Sequence, residues 1–592
     1  MTDRPMDVLS NTFCACGAQL GNGTWAIFGG NQRKSMTGFS WNDANPTAVT
    51  TNGVATTTPD NYKNTAGGTA IRMLDACTDE SCEYVQGEQP FNQNEGDTGG
   101  WLQMTGRRWY PTSETLEDGS IIIIGGDKNG GYVNTQAQDN PTYEFFPPKG
   151  DGEAVNFQFL SETLPINLYA LTWMMPSGKL FIQSNRRSIL FDYKTQDQEE
   201  LPEMPYAARV YPASAATMML PLLPENNYTA TVLFCGGSNP PQWGTDGTAG
   251  YNVTAVPADN TCVRISPDDA NPTYEDDDYM LEGRSMGQFV LMPDGTAWMG
   301  NGVAMGTAGY GSELYSVGMS YGQDPVYMPA IYNFSAPAGQ RWNRTGLSAS
   351  QNERMYHSTA ILLPDSSILI SGSNPNADFT NAQWRSRTDV ERWYPSYYNE
   401  ARPTYTGAPT TLSYGGEPFD LVLDNYIDET AAQNTKVVII RGGLNTHAIG
   451  FGQKMLQLES TYTVDQQTNK TTLHVSQLPG NPGPTLFQPG SAMIFVVTNG
   501  IPSEGEFLMV GSGQIGEQPT TTNAALPSST VLAVVTPSES TSEAASGGSG
   551  SGSGSGTGSS ASNSGNGAAG LSVTLSTLGL GVVGAAVGAL LL

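Results

Sequence analysis

Short apolar runs recur over roughly the first 400 residues, each broken by turn residues and each closing on glycines or serines. Phe13-Cys14 leads to Asn22-Gly23-Thr24, an apolar run and Gly29-Gly30. Arg108-Trp109-Tyr110-Pro111 leads to Glu117-Asp118-Gly119-Ser120, Ile121 to Ile124 and Gly125-Gly126. A weaker copy has Leu168-Tyr169, Pro176-Ser177-Gly178 and Leu180-Phe181-Ile182. Arg209-Val210-Tyr211-Pro212 runs to Phe234-Cys235-Gly236-Gly237, and Arg284-Ser285-Met286 to Pro293-Asp294-Gly295-Thr296. The last copy joins Arg354-Met355-Tyr356-His357 to Pro364-Asp365-Ser366-Ser367 and Ser371-Gly372-Ser373.

Each copy reads as a strand, a tight turn and a second strand, which is a repeated β-hairpin. Copies fall about 50 residues apart, or one and a half times that, the size of a kelch-type blade. The chain is therefore expected to be all-β, with a seven-bladed β-propeller over residues 1–400, its strands beginning near residue 11. From 401 to 512 the runs Val437-Val438-Ile439-Ile440 and Ala492 to Val497 predict an immunoglobulin-like β-sandwich packed on the propeller. A Ser/Thr/Gly-rich stretch, 513–570, reads as a disordered linker, and 571–592 as an uncharged apolar segment.

Composition narrows the setting. Gly 69 and Pro 38 beside 14% charged residues suit a turn-rich β protein. Lys+Arg 27 against Asp+Glu 56, a net charge of -29, argues against a nucleic-acid partner. Six cysteines, with Cys77 and Cys82 spaced for a small disulfide loop and Cys235 and Cys262 expected to pair, point outside the cytosol. Glycosylation sequons at Asn22, Asn227, Asn252, Asn333, Asn343 and Asn469 point the same way. The apolar end segment follows small residues and carries no basic stop, so a glycosylphosphatidylinositol signal is expected ahead of a membrane span. The opening Met1-Thr2-Asp3-Arg4-Pro5 is not an apolar leader, and truncation upstream is the expectation.

Histidine is scarce: His357, His447 and His474 are all there is. An adjacent Tyr356-His357 therefore joins a redox-capable phenol to a metal-capable imidazole, although such a pair in a strand is commonly packing with one hydrogen bond. Superposing the repeats on their turns puts Cys14, Tyr110, Tyr211, Tyr356 and His357 in or beside one column at the start of each first strand. In a propeller such positions are related by rotation about the axis, so Cys14, Tyr110, Tyr356 and His357 can share one end of the channel. Aromatics there also serve as a plug, but a thiol adds little packing that valine would not. His447 lies in a Gly-rich loop between sandwich strands, able to reach beyond its own domain, whereas His474 sits in an alternating strand and reads as structural. Cys16, two residues after Cys14 and on the same face of a strand, is an extra thiol that could compete with it.

The set Asn11-Thr12-Phe13-Cys14, Arg108-Trp109-Tyr110-Pro111, Glu353-Arg354-Met355-Tyr356-His357-Ser358 and Thr446-His447 resembles the copper-radical oxidases, close to glyoxal oxidase and more distantly to galactose oxidase. The resemblance covers about residues 11 to 512, with four motifs in order. It implies a Cys14-Tyr110 thioether cross-link serving as a protein-derived radical cofactor. It also implies one copper ion bound by Tyr110, Tyr356, His357 and His447, with Tyr110 equatorial and Tyr356 axial. The implied reaction oxidises a small aldehyde and reduces O2 to hydrogen peroxide, with Tyr356 as general base. A monomer is expected, extracellular, touching membrane only through its C-terminal anchor, with peroxidases that use the peroxide as candidate partners. Two alternatives stay open: a primary alcohol or galactose-type substrate at the same cofactor, and a non-catalytic propeller that binds glycans or proteins.

Overall fold

The computed structural model describes residues 10–31, 66–75, 102–243, 252–311, 314–376, 379–381 and 383–534, with the backbone of three short strands, Val49–Thr51, Val54–Thr56 and Tyr84–Gln86. The Cys77/Cys82 pair, the Ser/Gly tract from residue 546 and the apolar segment 571–592 lie outside the described residues. Among the described residues no helix is long and apolar enough to cross a membrane.

Isoleucine at all four positions of Ile121–Ile124 leaves no polar face, and every one of these side chains is buried. Such a strand is stable only where its sheet is covered on both sides. The structure supplies that cover by standing small antiparallel sheets face to face around an axis. Six sheets of this kind lie among the described residues, five of four strands and one of three, while the expected seven is a count over the whole chain. Their innermost strands are Cys16–Gln19, Thr112–Thr115, Leu171–Met174, Ala216–Met219, Gln288–Met292 and Ser358–Leu362. Cys235 and Cys262 face each other across two strands of the fourth sheet and form a disulfide. The fifth sheet carries an inserted hairpin, Val303–Tyr310 paired with Ser320–Pro325.

The all-β propeller followed by a β-sandwich is thus the architecture observed. The sandwich begins at Tyr405–Thr406, and its two main sheets contain Thr435–Arg441, Lys454–Leu458, Gly490–Thr498 and Glu506–Val510 on one side and Phe419–Leu423, Ser460–Asp465 and Lys470–Val475 on the other. It does not stop at 512. Thr520–Asn523 pairs with Tyr414–Gly416 and Thr530–Leu532 with Ser460–Asp465, both in parallel, so the start of the expected disordered linker forms sheet edges. β-Branched Thr520, Thr521, Thr522, Thr530 and Val531 suit an edge strand despite the polar composition that suggested disorder.

Equivalent buried arginines recur in the blades. Arg72, Arg108 and Arg354 donate through Nη1 to the carbonyls of Gly29, Gly125 and Gly372 at 2.8, 2.8 and 2.7 Å, and Arg284 to Asn301 at 2.6 Å. Arg209 donates likewise to Gly236. Each guanidinium thereby satisfies a carbonyl where the second strand ends, which would otherwise be buried unpaired.

The two kinds of glycine in the repeat predict different tolerances. Gly236 has φ +81° and a Cβ there would lie 2.1 Å from the Arg284 carbonyl oxygen, whereas Gly295, φ +86°, has open space. Gly236→Ala should destabilise by about 3 kcal/mol or more and Gly295→Ala by only about 1 kcal/mol, read from urea unfolding midpoints.

Candidate metal centre

Six inner-strand positions adopt left-handed backbone just before or at the start of the strand: Cys14 (φ 61°), Tyr110 (60°), Tyr169 (51°), Ser214 (50°), Met286 (61°) and His357 (65°). Non-glycine residues rarely accept this geometry unless their surroundings impose it. Here the imposing contacts run from blade to blade. Tyr110 N donates to the Cys14 carbonyl at 3.0 Å, Tyr169 N to the Tyr110 carbonyl at 2.9 Å, and Met286 N to the Ser214 carbonyl at 2.6 Å. Residues remote in sequence are therefore linked around the axis by their own backbones.

His447 reaches this ring from the sandwich. The expected Gly-rich loop is a tight β-hairpin, Leu444–Thr446 paired with Ile449–Phe451, whose two turn residues His447 and Ala448 both have positive φ, 51° and 71°. Such a turn matches strand twist but favours Asn and Gly, so two residues with full Cβ atoms are costly here. The hairpin is held against the propeller by Asn445 Nδ2 donating to the Ala360 carbonyl at 2.7 Å and Gln453 Oε1 accepting from Leu291 N at 3.0 Å.

The chemistry converges at the ring. Tyr110 Oη lies 3.0 Å from Tyr356 Oη, and His447 Nε2 lies 3.0 Å from Tyr356 Oη and 3.4 Å from Cys14 Sγ. Ligand atoms of Cys14, His357 and His447 all lie within 4.8 Å of one another. His357 Nδ1 donates to the Asn374 carbonyl at 2.8 Å, which leaves its Nε2 to present a lone pair, and His447 Nδ1 contacts Thr446 Oγ1 at 2.7 Å, which orients its Nε2 toward Tyr356 and Cys14. Burial, helped by His357, holds the His447 imidazolium well below its ordinary range, so it stays a neutral donor. Burial also pushes the Tyr110 and Tyr356 phenols well above theirs. Two imidazole nitrogens and two phenol oxygens that ionise only beside a cation form a donor set suited to Cu(II).

Cys14, Tyr110, Tyr356, His357 and His447 thus stand together, and several more aromatics join them. Tyr211 Oη donates to Tyr110 Oη at 3.2 Å and its ring stacks on Tyr110 with centroids 4.6 Å apart. It does so from outside the equivalent slot, which Ser214 fills. Trp109 stacks on Tyr110 at 5.4 Å and 12°. Tyr169, with its hydroxyl on the Ala15 carbonyl, packs 4.9 Å from His447, and Tyr310 approaches from the inserted hairpin. Tyr211 and Tyr169 were visible in the repeat, but Tyr310 lies outside it. Cys16 does not share the Cys14 site. Cys14 precedes the strand with left-handed backbone, so the two-residue alternation fails, and Cys16 sits beside Ser113 and Arg108 with its thiol pushed up to about 12 by burial. His474 lies between Asp420 and Thr463 at 2.7 and 2.9 Å, in the sandwich.

A propeller axis that gathers thiol, phenols and imidazoles, closed by a sandwich hairpin, forms a buried centre able to hold a metal ion. The family profile described as Glyoxal oxidase N-terminus matches residues 41–397, and that described as Galactose oxidase-like, Early set domain matches residues 402–510. The chain belongs to the glyoxal oxidase family of copper-radical oxidases. Aldehyde oxidase GLOX of Vitis pseudoreticulata is 30% identical over 413 residues, 68% of this chain and 72% of its own length. Aldehyde oxidase GLOX1 of Arabidopsis thaliana is 27% identical over 524 residues, 86% and 72%. A fungal alcohol oxidase of the AA5 family, solved in complex with copper, shares the fold at TM-score 0.58 and 17% identity, covering 84% of this chain and 85% of that one.

One buried carboxyl beside the site gives a pH prediction. Asp127 exchanges both backbone hydrogen bonds with Trp109 and accepts from Gly130 N at 2.5 Å, while burial raises its carboxyl from 3.8 to about 7. The folded state thus binds a proton that the unfolded chain has released. Stability should fall as pH rises from about 4 to 7 and stay level above that, by roughly 2–4 kcal/mol from this group. Asp127→Asn should flatten that part of the profile, read from urea unfolding between pH 5 and 8.

Proposed function

We propose that this chain oxidises small aldehydes of the glyoxal and methylglyoxal type, as their hydrates, to carboxylic acids while reducing O2 to hydrogen peroxide. The observation that carries the reading is the convergence of Tyr110 Oη and His447 Nε2 on Tyr356 Oη, 3.0 Å each, with the Cys14 thiol at their edge. His357, His447, Tyr110 and Tyr356 would hold the copper, and Cys14 would be bonded to the Tyr110 ring as a thioether. The names of the plant relatives support an aldehyde substrate.

Copper, when bound, supplies Lewis acidity and one of the two electron acceptors that the oxidation needs. Tyr356 Oη takes the hydroxyl proton of the hydrate, acting as general base through the position it holds between Tyr110 and His447. Tyr110 Oη would be the atom that takes the hydrogen from carbon, and a thioether on its ring would ease the holding of the resulting one-electron oxidised state. Trp109, Tyr169 and Tyr211 enclose Tyr110 and keep water from it. The balance is RCH(OH)2 + O2 giving RCOOH + H2O2.

A setting outside the cell agrees with the Cys235–Cys262 disulfide. We include in the proposal a monomer at the cell surface, carried by a C-terminal lipid anchor, whose peroxide feeds peroxidases.

Peroxide formation from methylglyoxal should fall by roughly a thousandfold in Tyr110→Phe, which keeps the ring and removes the oxygen. His447→Ala should weaken copper binding by about 100-fold or more, read by copper titration, because one nitrogen donor is lost. In copper-loaded wild type the Cys14 and Tyr110 peptides should run as one species in mass spectrometry. Separate peptides together with no bound copper would leave a non-catalytic propeller.

A further inference from the structure

The inserted hairpin of the fifth blade brings a phenol that the mechanism above does not use. Tyr310 ends the strand Val303–Tyr310, where the register with Ser320–Pro325 shifts between Gly306 and Tyr310. Its ring centroid lies 6.2 Å from Tyr356, 6.3 Å from His357 and 6.3 Å from Phe13. The Tyr310 head lies within electrostatic reach of Cys14, Tyr110 and Tyr211. The hydroxyls of Tyr110, Tyr211 and Tyr356 bond to one another and that of Tyr169 to a backbone carbonyl. Among the described residues the Tyr310 hydroxyl makes no hydrogen bond, and its side chain stays partly exposed.

The hairpin that carries it is braced. Gly306 N donates to the Val256 carbonyl at 2.7 Å, and Ala308 N to the Pro212 carbonyl at 2.9 Å. Thr307 Oγ1 meets Tyr132 Oη at 2.9 Å. The last of the backbone bonds ties the hairpin to the residue after Tyr211. Tyr310 is therefore presented from a fixed support at the edge of the metal centre.

A hydrated aldehyde carries two hydroxyls on the reacting carbon, and a primary alcohol carries one. One hydroxyl loses its proton to Tyr356. The second, placed against the aromatic rings that surround Tyr356, costs free energy unless something hydrogen-bonds it. We infer that Tyr310 Oη binds this second hydroxyl and so selects hydrated aldehydes over primary alcohols at the same metal centre. This deepens, and rests on, the aldehyde-oxidase reading. A site built to pair a substrate hydroxyl discriminates against the analogue that lacks it more strongly than an apolar wall can.

Methylglyoxal and hydroxyacetone share a carbon skeleton and differ as aldehyde and primary alcohol, so their ratio of kcat/KM isolates the effect. In copper-loaded Tyr310→Phe the aldehyde-to-alcohol ratio should fall by about tenfold, carried mainly by KM for methylglyoxal. Tyr310→Gln, which keeps a hydrogen-bonding head, should retain more of the ratio than Tyr310→Phe. If hydroxyacetone is not turned over, its inhibition constant against methylglyoxal replaces its kcat/KM. Copper content and the joined Cys14 and Tyr110 peptides certify that each variant is assembled. A ratio held within about threefold in assembled Tyr310→Phe overturns the inference while leaving the oxidase reading standing. Wild type that makes no peroxide from either compound overturns both.

Discussion

The structure depends on left-handed residues set around the propeller axis, of which Cys14, Tyr110 and Tyr169 are tied in succession, and Ser214 to Met286, by amide-to-carbonyl bonds. Tyr110 donates to Cys14 and Tyr169 to Tyr110, so the same backbone bonds that join neighbouring blades also bring side chains remote in sequence to one point. Positive φ at Cys14, Tyr110 and His357 is a local cost. It is offset by blade packing and by the buried arginines, whose guanidinium groups hold the strand-end carbonyls that flank the ring. Strain of this kind sits where chemistry needs an unusual side-chain direction, and the Cys14 thiol is its clearest case.

The second constraint is the hairpin from the sandwich. His447 occupies a two-residue turn with both φ values positive, yet it is fully enclosed by Tyr110, Tyr169, Tyr211 and Tyr356. Neither domain alone assembles the nitrogen and oxygen donors. Function and interdomain packing are therefore one problem, and the polar anchors Asn445 and Gln453, each bonded to propeller backbone, set the depth to which His447 enters. Burial then gives the site its electrostatic character. It keeps His447 neutral and Tyr110 and Tyr356 protonated, so a cation is the natural stabiliser of the ionised phenols.

Much of this was legible in the chain. Hairpins repeated about every 50 residues specify blades, because apolar strands without a polar face must be covered on both sides. Cys14, Tyr110 and His357 could be aligned because each stands at a fixed offset from its turn. Tyr211 aligned as well, though its slot belongs to Ser214 and it reaches the site from three residues earlier. What misled was local. Cys16 was placed on the Cys14 face by strand alternation, which fails where the backbone turns left-handed, and the threonine-rich start of the linker was read by composition although it completes sheet edges.

The residue order alone determined the repeat, the β class, the scarcity of histidine and the pairing of Tyr356 with His357, since these are properties of spacing and composition. Only the tertiary structure decided that Trp109, Tyr169 and Tyr310 surround the same point, and that a tight hairpin rather than a loose loop delivers His447. The physical reason is that rotation about a propeller axis and insertion from a second domain are long-range relations. No periodicity along the chain encodes the direction in which an inserted hairpin such as Val303–Tyr310 will point.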